Sequence, residues 1–309
     1  MKKIYDMIIV GGGPGGYTAA LYAVRAGLDV LIIERLSPGG QMNLTGQIDN
    51  YPGFPEGVDG FQLSMLMQQQ AERFGAKTQY AEVLKLELSG SVKTVQTNEG
   101  LYQAKTVVIS TGAGPRQLGV DRENEMIGRG VGYCAHCDGG FYRGKTVAVV
   151  GGGNSAAAEA LHLSRIAKEV ILIHRRDSLR ATQIYHKPLM EASNIRFLWD
   201  SEVAELVGED VLEGIRVRNL KNGAVQLVEA QGLFVSIGRK PATGLVKDQL
   251  TLDGAGYIMA GENTKTNLPG VYAVGDVRTK ELRQIVTAVA DGAMAAHVAA
   301  EYLAEGGTQ

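Results

Sequence analysis

The chain has 309 residues, with 31 Lys plus Arg against 33 Asp plus Glu and a formal net charge of −2. At roughly 150 residues per domain that length predicts about two domains, and the near-neutral balance leaves no electrostatic footprint for nucleic acid or an anionic membrane surface. Hydrophobic residues make up 45% and charged residues 21%, shares that fit a folded globular protein and argue against disorder. No apolar run reaches the ~18 residues of a membrane span. The short run at 7–10 reads as a first strand rather than a signal-peptide core. Two cysteines cannot make a disulfide framework, so the cytoplasm is the expected compartment. Glycine stands out at 41 residues, about 13% against a usual ~7%. It is clustered at turns, where a backbone must approach something closely.

In chain order, the strand at 7–10 runs into Gly11-x-Gly13-x-x-Gly16. A helix carrying Ala19, Ala20 and Ala23 follows to Gly27, and then a strand at 30–33. The same grammar returns 140 positions later: a strand at 146–150, Gly151-x-Gly153-x-x-Ala156, a helix, and a strand at 170–173. Each copy is the βαβ unit that binds dinucleotides. Strands at 107–110 and 233–236 run into Thr111-Gly112 and Ile237-Gly238 and close the two units. Near the C-terminus a strand ends at Gly275-Asp276, where the carboxylate can accept a hydrogen bond from a sugar hydroxyl. An Ala-rich helix then runs to about Tyr302. The first domain is therefore expected to be interrupted, 1–113 and 243–309 forming one unit with 116–240 inserted between them. Gly and Pro at 113–116 and 239–243 mark the junctions.

The ends of the second strands distinguish the ligands. Glu34 lies 23 positions after Gly11; at the matching offset from Gly151 stands His174, followed by Arg175, Arg176 and Arg180. An acidic residue there accepts from a free ribose diol, and arginines there suit a 2′-phosphate. The first unit is thus expected to bind FAD or NAD, and the second NADPH.

Cys134-Ala-His-Cys137 lies in the inserted segment and is followed at once by Asp138. This spacing lets two sulfurs form and open a small-ring disulfide, and the adjacent carboxyl can move the proton as thiol and thiolate interchange. A structural zinc site needs four ligands. No further cysteine exists, and the histidines form no second ligand pair, so no metal is expected. His136 either lowers a thiol pKa when protonated or is an exposed bystander. The single Trp199 carries no readable role.

Taken in order, GGGPGGYTAA, SPGGQ with Asn50-Tyr-Pro-Gly53, CAHCDG, GGGNSAAAE, HRRDSLRA and VYAVGDV closely resemble the low-molecular-weight thioredoxin reductases over essentially the whole chain. The resemblance implies an α/β fold of two Rossmann-like dinucleotide-binding domains of the three-layer ββα type, the NADPH domain inserted into a discontinuous FAD domain. It implies a homodimeric flavoprotein passing electrons from NADPH through FAD and the cysteine pair to thioredoxin. By the same correspondence Gly11, Gly13 and Gly16 hold the FAD pyrophosphate, Glu34 binds the adenosine ribose, and Gln41 and Asn50 lie along the flavin. Asp276 takes the ribityl-pyrophosphate region, with Arg283, Gln284 and Ile285 near the isoalloxazine. Pro14, Gly15, Arg35, Gly40, Thr45, Val83, Thr111, Gly112 and Gly275 join the cofactor residues of the first domain, and Ile237 and Gly238 those of the second. Gly153, Asn154 and Ser155 face the NADPH pyrophosphate, and His174, Arg175, Arg176 and Arg180 the 2′-phosphate end. Cys137 is implied to be the thiol nearest the flavin, Cys134 the one that attacks the partner, and Asp138 the acid–base residue.

Cysteines and NADPH turn share one domain while the flavin sits on the other. The two must therefore take turns at the flavin, and the junctions are expected to act as a hinge. Three rivals remain: the same scaffold serving another dithiol partner, a flavin dithiol oxidase, and a flavin-binding redox sensor without turnover.

Overall fold

The β-branched runs that flank the glycine turns are buried parallel strands, and the alternating helices cover them. The computed structural model describes residues 3–44 and 47–307, without the side chains of Leu44 and His136. Thr45, assigned above to the cofactor set, lies outside the described residues. In chain order the helices are α1 Pro14–Arg25, α2 Gly60–Arg73, α3 Ala135–Asp138, α4 Asn154–Ser164, α5 Gln183–Glu191 and α6 Ile285–Ala304. Among the described residues no helix is long and apolar enough to cross a membrane.

The described residues form two compact units. One comprises 3–44, Tyr51–Gly114 and 240–307; the other comprises 47–50 and Pro115–Arg239. Besides the passage through 47–50, the chain crosses between them at Ala113–Pro115 and Arg239–Pro241, which pair as a two-stranded ribbon.

The sheet of the first unit is built on Ile4–Val10, flanked in parallel by Val30–Glu34 and Leu101–Ile109, with Lys77–Tyr80 outside the former. Val271–Ala273 adds in parallel to the C-terminal half of Leu101–Ile109, and Lys93–Thr97 adds antiparallel to its other half. Alternating residues of Ile4–Val10 serve opposite faces, as the two-residue period requires. Ile8 and Val10 join Leu31, Ile33 and Val107 on one side, while Met7 and Ile9 join the alanines of α1 and α6 on the other. α1 meets α6 closely because Gly15 and Gly292 lack side chains: a Cβ on Gly292 would run into the Gly15 carbonyl oxygen.

The second unit repeats the plan. Five parallel strands lie in the order Ile195–Leu198, Glu169–Ile173, Thr146–Val150, Gly232–Val235 and Val131–Gly132. Ala156, Ala157, Ala160 and Leu163 of α4 pack on one face. The antiparallel strands Ser201–Val207, Gly214–Asn219 and Val225–Glu229 supply Val203, Ile215 and Val217 to the other. Both units are Rossmann-like, and the expected α/β architecture with two such domains is borne out.

Candidate active site

The glycine turns of the two units are built alike. Gly11 N–H donates to the Ile33 carbonyl at 2.9 Å, and Gly151 N–H donates to Ile173 at 3.0 Å. Ser110 N–H closes onto Val10 and Ser236 N–H onto Val150, each at 2.8 Å. Both first glycines have positive φ, +105° and +148°, and a Cβ on either would strike the carbonyl oxygen of that serine. A side chain is thus barred twice over, by conformation and by the neighbouring strand. The next strand end is fixed the same way, with Val274 N–H on Ile109 at 3.0 Å. The turns sit at the carboxyl ends of the strands, the face where open α/β sheets take their ligands.

Each turn leads into a helix N-terminus free of side-chain caps. α1 begins after Gly13 and α4 after Gly153; neither has a capping side chain or an acidic residue in its first turn. A Cβ on Gly13 or Gly153 would meet nothing within 4 Å, so both cradles are open above the first N–H groups. That combination fits a pyrophosphate.

Glu34 sits where the spacing predicts. Its Oε2 accepts from Gly12 N–H at 2.7 Å and its Oε1 from Leu36 N–H at 3.1 Å. The carboxylate is thereby pinned against the turn with lone pairs left for a diol. Gly39 N–H donates to the Gly12 carbonyl at 2.7 Å and folds the 36–40 segment over the turn. Arg35, Gly40 and Gln41 are exposed beyond it, and Val83 is half-buried. Thr111 Oγ1 donates to the Ala242 carbonyl at 2.8 Å. Gly275 N–H is held by Asp291 Oδ2 at 2.8 Å, which leaves Asp276 at the head of the next turn. Gln284 caps α6 through a reciprocal box with Thr287. Arg283 lies over the Tyr257 ring at 4.1 Å, and its buried Nε has no partner among the described residues. A buried donor left open is costly, so this one fits an acceptor on a bound group. Asn50 is exposed and groups with the second unit rather than with the other residues assigned to the flavin.

In the second unit the 174–181 segment folds back over the turn. Arg180 and Ala181 N–H both donate to the Gly152 carbonyl, at 2.7 and 3.0 Å, and Asn154 Oδ1 accepts from Thr182 N–H at 2.8 Å. Asn154 and Ser155 are exposed at the start of α4, and Ile237 and Gly238 are exposed past the last strand. Arg175, Arg176 and Arg180 are exposed, and among the described residues none forms an ion pair. Three unneutralised guanidinium groups beside an open cradle suit a 2′-phosphate. His174 does not join them at the surface. It is buried, with Nε2 unpartnered, and burial followed by the three arginines holds its pKa below the ordinary value. Trp199 stacks on Phe197 at 4.8 Å and meets His174 edge-on at 6.4 Å. It therefore forms a wall of this region, a role that sequence alone did not disclose.

Cys134 and Cys137 form a disulfide with Cα atoms 5.3 Å apart. Cys134 caps α3, its carbonyl accepting from Cys137 and Asp138 N–H at 3.1 Å each. Burial pushes the Asp138 carboxyl up to about 6. Its Oδ2 lies where a Cβ on Gly132 would be only 3.2 Å away. A carboxyl poised near neutrality beside a disulfide can both give and take a proton. Among the described residues no cluster of side chains could hold a metal ion.

The chain matches the pyridine nucleotide-disulphide oxidoreductase family over residues 5–292 and belongs to it. It is an oxidoreductase with a disulfide redox centre. It is 44% identical over 307 residues to the thioredoxin reductase of Streptomyces coelicolor, covering 98% of this chain and 95% of that one. It is 43% identical over 305 residues to the thioredoxin reductase of Listeria monocytogenes, with 98% and 95% covered. The crystal structure of thioredoxin reductase from Streptococcus pyogenes superposes with a TM-score of 0.90 at 45% identity, covering 99% of this chain and 100% of that one. The resemblance drawn from the motifs is borne out by these relatives.

Proposed function

We propose that the chain is an NADPH-dependent thioredoxin-disulfide reductase with one non-covalent FAD, working as a cytoplasmic homodimer. The observation that carries this reading is the Cys134–Cys137 disulfide with Asp138 beside it, in the same unit as an open glycine turn and three unpaired arginines. When bound, NADPH and FAD supply the hydride and electron chemistry that no side chain here can.

The chain's own residues bind, orient and move protons. Gly11, Gly13 and Gly16 cradle the FAD pyrophosphate at α1, Glu34 accepts from the ribose, and Arg283 offers its open Nε to the flavin. Gly153 and Asn154 hold the NADPH pyrophosphate, and Arg175, Arg176 and Arg180 hold its 2′-phosphate. The free Cys134 thiolate attacks the partner disulfide, Cys137 resolves the mixed disulfide, and Asp138 returns protons to the sulfurs that leave. Because one glycine turn lies in the first unit and the other lies with the cysteines in the second, the units alternate between half-reactions, with 113–116 and 239–243 as hinge.

Anaerobic NADPH addition tests the relay. Flavin bleaching with two new thiols per chain, absent in Cys134→Ser, is expected. Bleaching without new thiols, or no bleaching, would overturn it.

A further inference from the structure

Behind the redox turn lies a carboxyl that the proposed reaction does not use. Ala135, inside the cysteine turn, is fully buried and packs into the same cluster as Ala156, Ala157, Ala160 and Leu163 of α4. The turn continues onto α4 at Gly139, where a Cβ would lie 3.1 Å from Leu163 and 3.5 Å from His162. The seat is thus the α4 face with helical spacing 156, 160 and 163, a pattern that calls for alanine or leucine throughout. Glu159 stands at its centre instead. Its Oε2 is sealed from solvent without a partner among the described residues, and Ser236 and the Ala135 backbone amide face the carboxyl. Leaving a buried carboxyl oxygen unpaired is costly, so an inert role explains the residue poorly.

We propose that Glu159 is a positioning residue of the redox centre: it seats the cysteine turn on α4 and couples its own proton to that of Asp138, so that the two carboxyls serve thiol–disulfide exchange as one unit. The charged groups facing it are Asp138 from α3 and Arg239 after the last strand; His162, further along α4, lies beside Gly139. Tyr142 faces Asp138 from the turn after α3. Burial first, and the Asp138 charge last, raise Glu159 to about 7, above Asp138 at about 6. As pH rises Asp138 therefore ionises ahead of Glu159, and through that interval the seat carries one carboxylate and one protonated carboxyl.

The proton count shows the use. Exchange of the reduced pair with a partner disulfide breaks one S–S bond in the partner and forms Cys134–Cys137. Two electrons pass from the cysteine sulfurs to the partner's, and two protons leave the cysteine thiols and end on the partner's sulfurs. One carboxyl can carry one proton at a time, and a coupled pair holds a second in reserve.

The inference rests on reading the pair as an exchanging disulfide, and the test separates the two. Full-length, flavin-loaded chain is reduced anaerobically with dithiothreitol and freed of reductant. Its reaction with an aromatic disulfide is then followed from about pH 5 to about pH 9, with circular dichroism as the folding check. Wild type is expected to show two carboxyl transitions, near about 6 and about 7. Glu159→Gln, nearly isosteric, is expected to lose the upper one and keep the lower. Asp138→Asn is expected to lose the lower one and to move the upper to lower pH, since the Asp138 carboxylate raises Glu159. A Glu159→Gln profile superimposable on wild type overturns the proposal. A wild-type pair that does not exchange overturns the underlying reading as well, because neither NADPH nor a partner protein enters the measurement.

Discussion

The His174 imidazole lies against Gly152 so closely that a Cβ on the glycine would collide with three atoms of the ring. The 174–181 segment is locked to the glycine turn by this contact and by the two amides that donate to the Gly152 carbonyl. Gly152→Ala is therefore expected to push the segment outward at a cost of about 1–3 kcal/mol, and to raise the KM for NADPH more than it lowers kcat. Adding His174→Ala opens the space and should restore most of the affinity. Steady-state kinetics of the single and double variants, read as a double-mutant cycle, checks both expectations; additive losses would refute the packing account.

Arg175, Arg176 and Arg180 are exposed and are the charges proposed above to take a 2′-phosphate. A hydrogen bond to a charged group is worth ~1.5–3 kcal/mol, so replacing one of them with Gln is expected to weaken NADPH about tenfold or more while leaving NADH unchanged. Trp199 provides the readout. It is the only tryptophan and meets His174 edge-on, so its fluorescence should change as NADP(H) or 2′,5′-ADP binds and should ignore 5′-AMP.

Much of this site was legible because its signals are local. A glycine turn, the acid 23 positions on or the arginines that follow the matching position, and a Cys-x-x-Cys-Asp run are each set by the reach of a few bonds, and repetition at a spacing of 140 reinforced the pattern. The features that stayed hidden depend on contacts distant in sequence. Glu159 reads as one polar residue in an alanine-rich helix until Ala135, 24 positions earlier, is seen to pack on that face. The one available signal was its place between Ala156, Ala160 and Leu163. His174 shares the offset of Glu34 but turns inward, because Gly152 leaves room for its ring. The grouping of Asn50 with the second unit follows from where a loop rests, which no periodicity encodes.

Asp291 of α6 anchors a second long-range cluster. Its carboxylate meets Arg278 Nη2 at 2.6 Å and Lys280 Nζ at 2.6 Å, all three side chains being 7% exposed, and it also takes Gly275 N–H at 2.8 Å. Removing its charge leaves two buried cations facing one another. Asp291→Asn is thus expected to cost about 3–5 kcal/mol, to lower the urea midpoint and to loosen FAD, since Gly275 precedes Asp276. The two cations hold the Asp291 pKa below its ordinary value despite burial. Its contribution is therefore present above the ordinary carboxyl range and is lost as pH falls through the depressed folded value. A midpoint equal to wild type at neutral pH would refute this account of the cluster.

Asp138 runs the other way. Burial raises it from 3.8 to about 6, so the folded state favours the protonated form. Stability from that proton is complete below the unfolded pKa and declines as pH rises through the folded one. At pH above about 6 the wild-type chain carries a half-buried carboxylate that it would be more stable without. Asp138→Asn is expected to raise the denaturation midpoint at alkaline pH, by a contribution on the order of 1–3 kcal/mol, and to leave it nearly unchanged in mild acid. The same variant is expected to slow disulfide exchange by about 10²-fold or more, the usual loss when a positioned acid–base group is removed. Chemical denaturation of the oxidised chain at two pH values, paired with exchange rates, reads both effects from one protein. A variant that is slower but no more stable at alkaline pH would mean that Asp138 is solvated in the folded chain, and that its proton is tuned by the sulfurs rather than by burial.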